Sequence, residues 1–337
     1  MPSPSPSSKK SHTLTTGHTY TYTHTPPSTS IHPTFLLLHG FPTASQTWHA
    51  LMHYLTAAGY GVLAPDLLGY NGTSKPVNVQ EYACSKMSAH IAELLSHEKI
   101  TRVIGVGHDW GAVLLARMWN YHPSYFASLV FMSVPYQPPA PMDLDAMNKA
   151  IKEAFGYEMG GYWYFLTSPE AAKILSEKTE SFLSILYQTD PDLWKTSFCP
   201  TGALHAWLAA GRTAPLASWL AQSEFDEHVN ILKEGGFEGP LNWYNAALQH
   251  IDAPAESKIL ESALTIPFPV TFIVGELDAV GRPEISLHTA EQGRQKGYLP
   301  HVEVEVIPEA GHWMMLENPS AVFEILEKAA KGTRESV

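Results

Sequence analysis

The sequence predicts an α/β fold: an open, mostly parallel sheet covered by helices on both faces and interrupted by one long helical insertion. Three observations predict it. Apolar strand-like runs alternate with segments of helical spacing from residue 34 to residue 134. The alternation stops at the proline-rich Tyr136-Gln-Pro-Pro-Ala-Pro141 and resumes only at Pro269-Val-Thr-Phe-Ile-Val-Gly275. Within the alternating stretch one apolar run, Val103 to Val106, passes abruptly into the helical spacing Val113, Leu114, Ala116 through Gly107-His-Asp-Trp-Gly111.

The elements follow in order. Residues 1–11, Met-Pro-Ser-Pro-Ser-Pro-Ser-Ser-Lys-Lys-Ser, lack an apolar run, so they read as a disordered tail and not as a secretory leader. From His12 to Thr25, Thr alternates with Tyr and His around Gly17, the pattern of a two-stranded hairpin at a sheet edge. Thr34-Phe-Leu-Leu-Leu38 is continuously apolar, as a strand covered on both faces must be. Trp48 to Ala58 has helical spacing and stops at Gly59; Tyr60 to Asp66 is the next strand. The turn Leu67 to Pro76 is glycine-rich, but its spacing matches neither phosphate-binding pattern. Tyr82 to His97 places Met87, Ile91, Leu94 and Leu95 on one helix face, and Phe126 to Val134 is a further strand. Beyond Pro135 the candidates are helical: Asp143–Phe155, Pro169–Lys178 with Ser168 as cap, Phe182–Gln188, and Glu224–Lys233 with the box Ser223-x-x-Asp226. Strands return at 269–275 and 302–307, and a helix from Pro319 to Lys331 closes the chain. The division expected is a first core segment at 12–137, a helical cap at 138–254 and a second core segment at 255–335.

Composition narrows the function. With 337 residues, 45% of them hydrophobic, the chain can build an extensive core. A formal charge of -12, with no basic cluster beyond Lys9-Lys10, argues against nucleic acid or an anionic membrane surface as partner. No stretch resembles a transmembrane span, and a cytoplasmic location is expected. Cys84 and Cys199 lie far apart, so neither a disulfide framework nor a cysteine metal site is expected. Among the 17 histidines neither a His-x-x-x-His nor a His-Glu-x-x-His spacing is expected in a helical setting. No metal and no cofactor are expected, and a homodimer is a candidate assembly.

The chemistry concentrates at one edge of the expected sheet. Gly107-His-Asp-Trp-Gly111 has the spacing of a nucleophile elbow with aspartate in the reactive position. The alternative for the pentapeptide alone is a turn with a capping aspartate. The flanking glycines leave room where strand and helix nearly touch, and a helix N-terminus favours the ionised carboxylate, a competent nucleophile toward an sp3 carbon. Asp278, just past the strand 269–275, and His312, in the loop after 302–307, overhang the same edge, in the order nucleophile, acid, histidine. His39-Gly40-Phe41-Pro42 follows the first buried strand; the backbone N–H groups of Phe41 and Trp110 would form an oxyanion hole, and His39 reads as structural.

Together, His39-Gly-Phe-Pro42, Gly107-His-Asp-Trp-Gly111, Asp278 and Gly311-His312-Trp313 resemble the α/β-hydrolase family, and specifically the epoxide hydrolases, over residues 12 to 335. The resemblance implies an eight-stranded, mostly parallel sheet with an inserted helical cap. In the cap, Gly239-Pro-Leu-Asn-Trp-Tyr244 resembles the segment whose tyrosine reaches the epoxide oxygen, and Gly161-Tyr162-Trp-Tyr-Phe-Leu-Thr-Ser-Pro169 the segment carrying the second tyrosine. Tyr157 and Tyr164 compete with Tyr162 for that place. The implied activity is conversion of an apolar epoxide and water to a vicinal diol through an alkyl ester of Asp109, hydrolysed by water that His312, paired with Asp278, activates. Tyr162 and Tyr244 would serve as acids, and Phe41, Trp110, Tyr162, Leu166, Trp243 and Trp313 would line the substrate pocket. Haloalkane dehalogenases share the Asp-His-acid core, but many have asparagine where this chain has Phe41. Fluoroacetate dehalogenases have arginine where this chain has Trp110. An enzyme opening an epoxide with an internal hydroxyl is a further alternative.

Overall fold

The computed structural model describes residues 9–335, and of these the side chains of residues 334 and 335 are not described. Among the described residues eight strands form one sheet: β1 (Lys9–Thr13), β2 (Thr19–Thr25), β3 (Thr34–Leu38), β4 (Gly61–Pro65), β5 (Val103–His108), β6 (Phe126–Met132), β7 (Val270–Gly275) and β8 (Val302–Ile307). Their order is β1-β2-β4-β3-β5-β6-β7-β8. β1 pairs antiparallel with β2, and β2 antiparallel with β4; every other pairing is parallel. Every residue of β3, β4 and β5 is buried, as their unbroken apolar sequences require of strands covered on both faces.

The hairpin starts earlier than the sequence suggests. Lys9-Lys10-Ser11, expected in the tail, begin β1, where Lys9 pairs with the fully buried Asp66 at 3.1 Å and Lys10 with Glu98 at 3.0 Å. Polar residues can hold a strand at a sheet edge when partners lie beneath it, a condition that hydropathy does not register. The rest of the expected tail, residues 1–8, lies outside the described residues.

Between β6 and β7 the named elements are helical. Leu144–Phe155 is capped by the Asp143 carboxylate, which accepts from the Ala146 N–H at 2.9 Å. Tyr162–Leu166, Ala171–Glu177, Thr179–Leu186, the π-helical turn Trp194–Phe198, Ala203–Ala209, Gln222–Gly235 and Glu238–Leu248 follow. Two expected caps are corrected. Ser168 does not cap the helix that follows it; its hydroxyl donates back to the Phe165 carbonyl, and helix begins at Ala171. Helix Gln222–Gly235 starts before Ser223, with the Glu224 carboxylate accepting from the Ala221 N–H at 3.0 Å, while Asp226 takes the Gln222 side chain.

Polar bonds and one close backbone contact seat the insertion on the sheet. Trp243 Nε1 donates to the Leu68 carbonyl at 2.9 Å. Asp252 accepts from the Cys84 and Ser85 N–H groups at 2.7 and 3.0 Å, serving as cap for helix Cys84–His97 from a distant part of the chain. Arg117 bridges Glu256 and the Gln137 carbonyl, one on each side of the insertion. Gly69, at φ +94°, meets Gly239 so closely that a Cβ on it would stand 2.8 Å from the Gly239 carbonyl carbon. Among the described residues, no helix is long and apolar enough to cross a membrane.

Candidate active site

The parallel strands deliver their reactive residues to one edge. β5 ends at His108, and Asp109 turns the chain into helix Trp110–Tyr121 with φ 53° and ψ -123°. A non-glycine residue with positive φ at a strand-to-helix bend is a strained conformation that surrounding packing must hold. The glycines make room for it: a Cβ on Gly107 would lie 2.5 Å from the Gly111 carbonyl oxygen, and one on Gly111 2.1 Å from that of Leu38. Asp109 does not cap its helix. Its carboxylate accepts instead from the Phe41 N–H at 2.9 Å, above Gly40, where a Cβ would come within 2.4 Å of Asp109 Oδ1. The capping-aspartate reading of the pentapeptide is thereby overturned.

β7 and β8 supply the partners. His312 Nδ1 lies 2.9 Å from Asp278 Oδ2, both groups buried, and the Val280 N–H donates to the second Asp278 oxygen at 2.9 Å. Ser133, just beyond β6 at φ 67°, donates to Asp278 Oδ2 at 2.6 Å and stands 3.0 Å from His312 Nδ1. Gly281 is obligatory beside them, since a Cβ there would fall 2.1 Å from Ser133 Oγ. Ser133 was not singled out in the sequence; its position directly after an apolar strand, level with the other candidates, is the signal that could have found it.

Two tyrosines from the insertion lie over Asp109. The Tyr244 ring packs edge-on against Phe41 at 5.1 Å and Trp110 at 5.0 Å, and Tyr162 lies 6.1 Å from Tyr244, stacked on Phe198 at 4.5 Å. Both phenols are buried and feel the charge of Asp109. The competitors are placed elsewhere. Tyr157 donates to the Ala279 carbonyl, and Tyr164, 40% exposed, bonds Asp145. Trp163, not singled out in the sequence, joins the aromatic group 4.9 Å from Tyr244 and 5.3 Å from Trp110.

A family profile described as alpha/beta hydrolase fold matches residues 33–319. Epoxide hydrolase 3 of Siraitia grosvenorii is 30% identical over 305 residues, 88% of this chain and 90% of that protein. The chain belongs to the epoxide hydrolases of the α/β-hydrolase fold family. Bifunctional epoxide hydrolase 2 of Rattus norvegicus is 28% identical over 305 residues, 89% of this chain but 52% of the relative, so the chain spans about half the length of that protein. The solved structure of a Vigna radiata epoxide hydrolase variant superposes with a TM-score of 0.78 at 26% identity, covering 95% of this chain and 97% of the other.

The electrostatics of this α/β-hydrolase site are set by burial and by the charges facing one another. For Asp109 burial is the largest influence and raises its pKa, outweighing the opposing His312 charge and the N–H groups of Phe41 and Trp110. Only Trp110 of these belongs to the helix terminus expected to keep the carboxylate ionised, and desolvation outweighs it. Burial would by itself lower the His312 pKa; the hydrogen-bonded Asp278 and the nearby Asp109 reverse this, and it stands above the ordinary value. Against its own burial, Asp278 is held well below the carboxylate range by His312, Ser133 and the Gly281 N–H. Burial drives both lid phenols upward, keeping them protonated at neutral pH.

His39 behaves as a structural group: Nε2 accepts from the Leu67 N–H at 2.9 Å, Nδ1 lies 3.0 Å from the Gly40 carbonyl, and burial lowers its pKa to about 4. A cavity of about 410 Å³ opens beside His312, lined among others by Trp194, Trp313, Leu277 and Ala279. Of the expected pocket residues, Trp313 lines that cavity, while Phe41, Trp110 and Tyr162 pack with Tyr244 around Asp109. Trp243 stands 6.2 Å from Trp110 with its N–H committed to Leu68, and Leu166 is fully buried on the short Tyr162 helix. Among the described residues no group of three His, Cys, Asp or Glu side chains could hold a metal ion, although His49 and His53 stand one turn apart on a helix.

Proposed function

We propose that this protein hydrolyses an apolar epoxide to a vicinal diol in two steps, through a covalent ester on Asp109. A strained ring still expels a strongly basic alkoxide, so opening it requires backside attack by a carboxylate and a proton donor on the oxygen. The observation that carries the reading is the pairing of a carboxylate held at a strand-to-helix bend with two buried, protonated phenols in its field. Asp109 attacks one epoxide carbon, the C–O bond breaks, and Tyr162 or Tyr244 protonates the departing oxygen. Water on the far side of the ester gives a proton to neutral His312, whose imidazolium form Asp278 stabilises. The resulting hydroxide attacks the ester carbonyl, and the Phe41 and Trp110 N–H groups hold the oxyanion until it collapses; the alcohol leaves with the proton of the His312 imidazolium, and the proton of the regenerated Asp109 carboxyl restores the tyrosine. Helical segment 138–254 acts as the cap that excludes bulk water. Its aromatic interior favours apolar substrates.

The two cysteines are free and buried, which fits a reducing compartment, and cytoplasmic action belongs to the same proposal. The test is to trap the ester. Asp109→Asn loses turnover with an epoxide such as styrene oxide. His312→Gln accumulates protein heavier by the mass of that epoxide, seen by intact-protein mass spectrometry. A His312→Gln variant that turns over at the parent rate contradicts the two-step scheme.

A further inference from the structure

Side chains grip three backbone groups of the loop that carries His312. The Gly311 N–H donates to Glu317 Oε2 at 2.7 Å and the Trp313 N–H to Glu317 Oε1 at 2.8 Å, so one carboxylate clasps the amides on both sides of the histidine. From the opposite face His108 Nε2 donates to the His312 carbonyl at 2.9 Å, with the two rings 4.6 Å apart. We propose that Glu317 and His108 are positioning residues that hold the His312 backbone so that its ring is aligned for ester hydrolysis. This inference rests on the two-step reading above.

The arrangement is costly in ways that packing alone does not explain. Glu317 is partly buried beside the cavity that reaches His312, and desolvation raises its pKa; its carboxylate accepts from the two amides. An apolar residue would fill the space without that cost but would leave two N–H groups unpaired. His108 is fully buried, and burial keeps it neutral, so Nε2 carries the proton it donates and Nδ1 has no partner among the described residues. The His312 ring itself is tethered at Nδ1, to Asp278 and Ser133. That tether fixes the ring relative to Asp278 and Ser133, and the clasp fixes the backbone from which the ring projects. A proton acceptor displaced by about an ångström loses on the order of a hundredfold in rate. Because His312 acts after the carbon–oxygen bond has broken, its misplacement affects the second step and spares the first.

Single-turnover rapid quench with styrene oxide separates the steps, reading the ester by intact mass and the diol by chromatography. Glu317→Gln keeps size and one acceptor but cannot serve two N–H groups. The expected result is alkylation within twofold of the parent and ester hydrolysis slowed tenfold or more, with kcat and KM falling together. Ester hydrolysis at the parent rate, or equal slowing of both steps, overturns the inference while leaving the two-step reaction standing. Should Glu317→Gln fail to fold, His108→Phe keeps a ring in place, removes the donor and is judged by the same criteria. If the parent protein yields diol without any ester, the reaction scheme itself falls and the positioning role with it.

Discussion

A carboxylate reaches an epoxide carbon only if its own hydrogen bonds leave one lone pair free, and Asp109 meets that condition by spending one oxygen on the Phe41 N–H. The reactive aspartate, Asp278 and His312 were legible because their geometry follows from local pattern: a glycine-flanked bend and two residues placed just beyond apolar strands. Ser133 and Trp163 were not, since each matters through a neighbour distant in sequence, Asp278 and Trp110; Glu317 matters through a clasp on the backbone of its own loop, which no local sequence pattern announces. Tyr162 was separable from Tyr157 and Tyr164 only in three dimensions, where one competitor is bonded to a carbonyl and the other faces solvent. At this scale the phenols distinguish epoxide opening from halide displacement. Tyr162→Phe combined with Tyr244→Phe should slow alkylation by epoxides about 10²–10⁴-fold, the usual span for removing an acid, while an alkyl halide of similar shape is affected far less. Equal losses in parallel stopped-flow measurements would favour a dehalogenase.

Among the elements, strands were easier to place than the helices of the insertion. β3, β4 and β5 are buried on both faces, so their sequences are apolar without interruption. Helices such as Tyr162–Leu166 and Ala203–Ala209 span five and seven residues, too few for a periodic signal, and are held by packing and not by propensity. Caps were misplaced for a related reason: Ser168 turns back to Phe165, and the start of helix Cys84–His97 is closed by Asp252, far away in sequence. That long-range cap is testable. Asp252→Ala leaves the Cys84 and Ser85 N–H groups without their acceptor and should cost about 1–2 kcal/mol, lowering the unfolding midpoint by about 1–3 °C in calorimetry. An unchanged midpoint would show that water replaces the carboxylate without loss.

Across the whole molecule, acid stability is set by histidines buried in their neutral form. Burial lowers His39, His90 and His228 to about 4 each. A group whose folded pKa is depressed in this way binds its proton more readily when unfolded. Its contribution is intact above the unfolded value near 6.5 and is lost as pH falls through that value toward 4, by up to about 3 kcal/mol per group. His312 runs the other way: with its folded pKa raised by Asp278, its contribution is complete below the unfolded value and fades as pH rises through the folded one. Histidines with depressed values, His108 among them, outnumber His312, which predicts that the thermal midpoint drops steeply between pH 6.5 and 4. A flat midpoint over that window, measured by circular dichroism, would mean that these rings are not buried neutral.

The carboxylate attack itself is tested most directly by isotope. With enzyme in excess over epoxide, one turnover in water enriched in ¹⁸O is quenched and the diol is weighed. The account predicts that the first diol carries no heavy oxygen, its new oxygen having come from Asp109, and that the label enters the protein carboxylate. Heavy oxygen in the diol of the first turnover would show that water strikes carbon directly and would contradict the account.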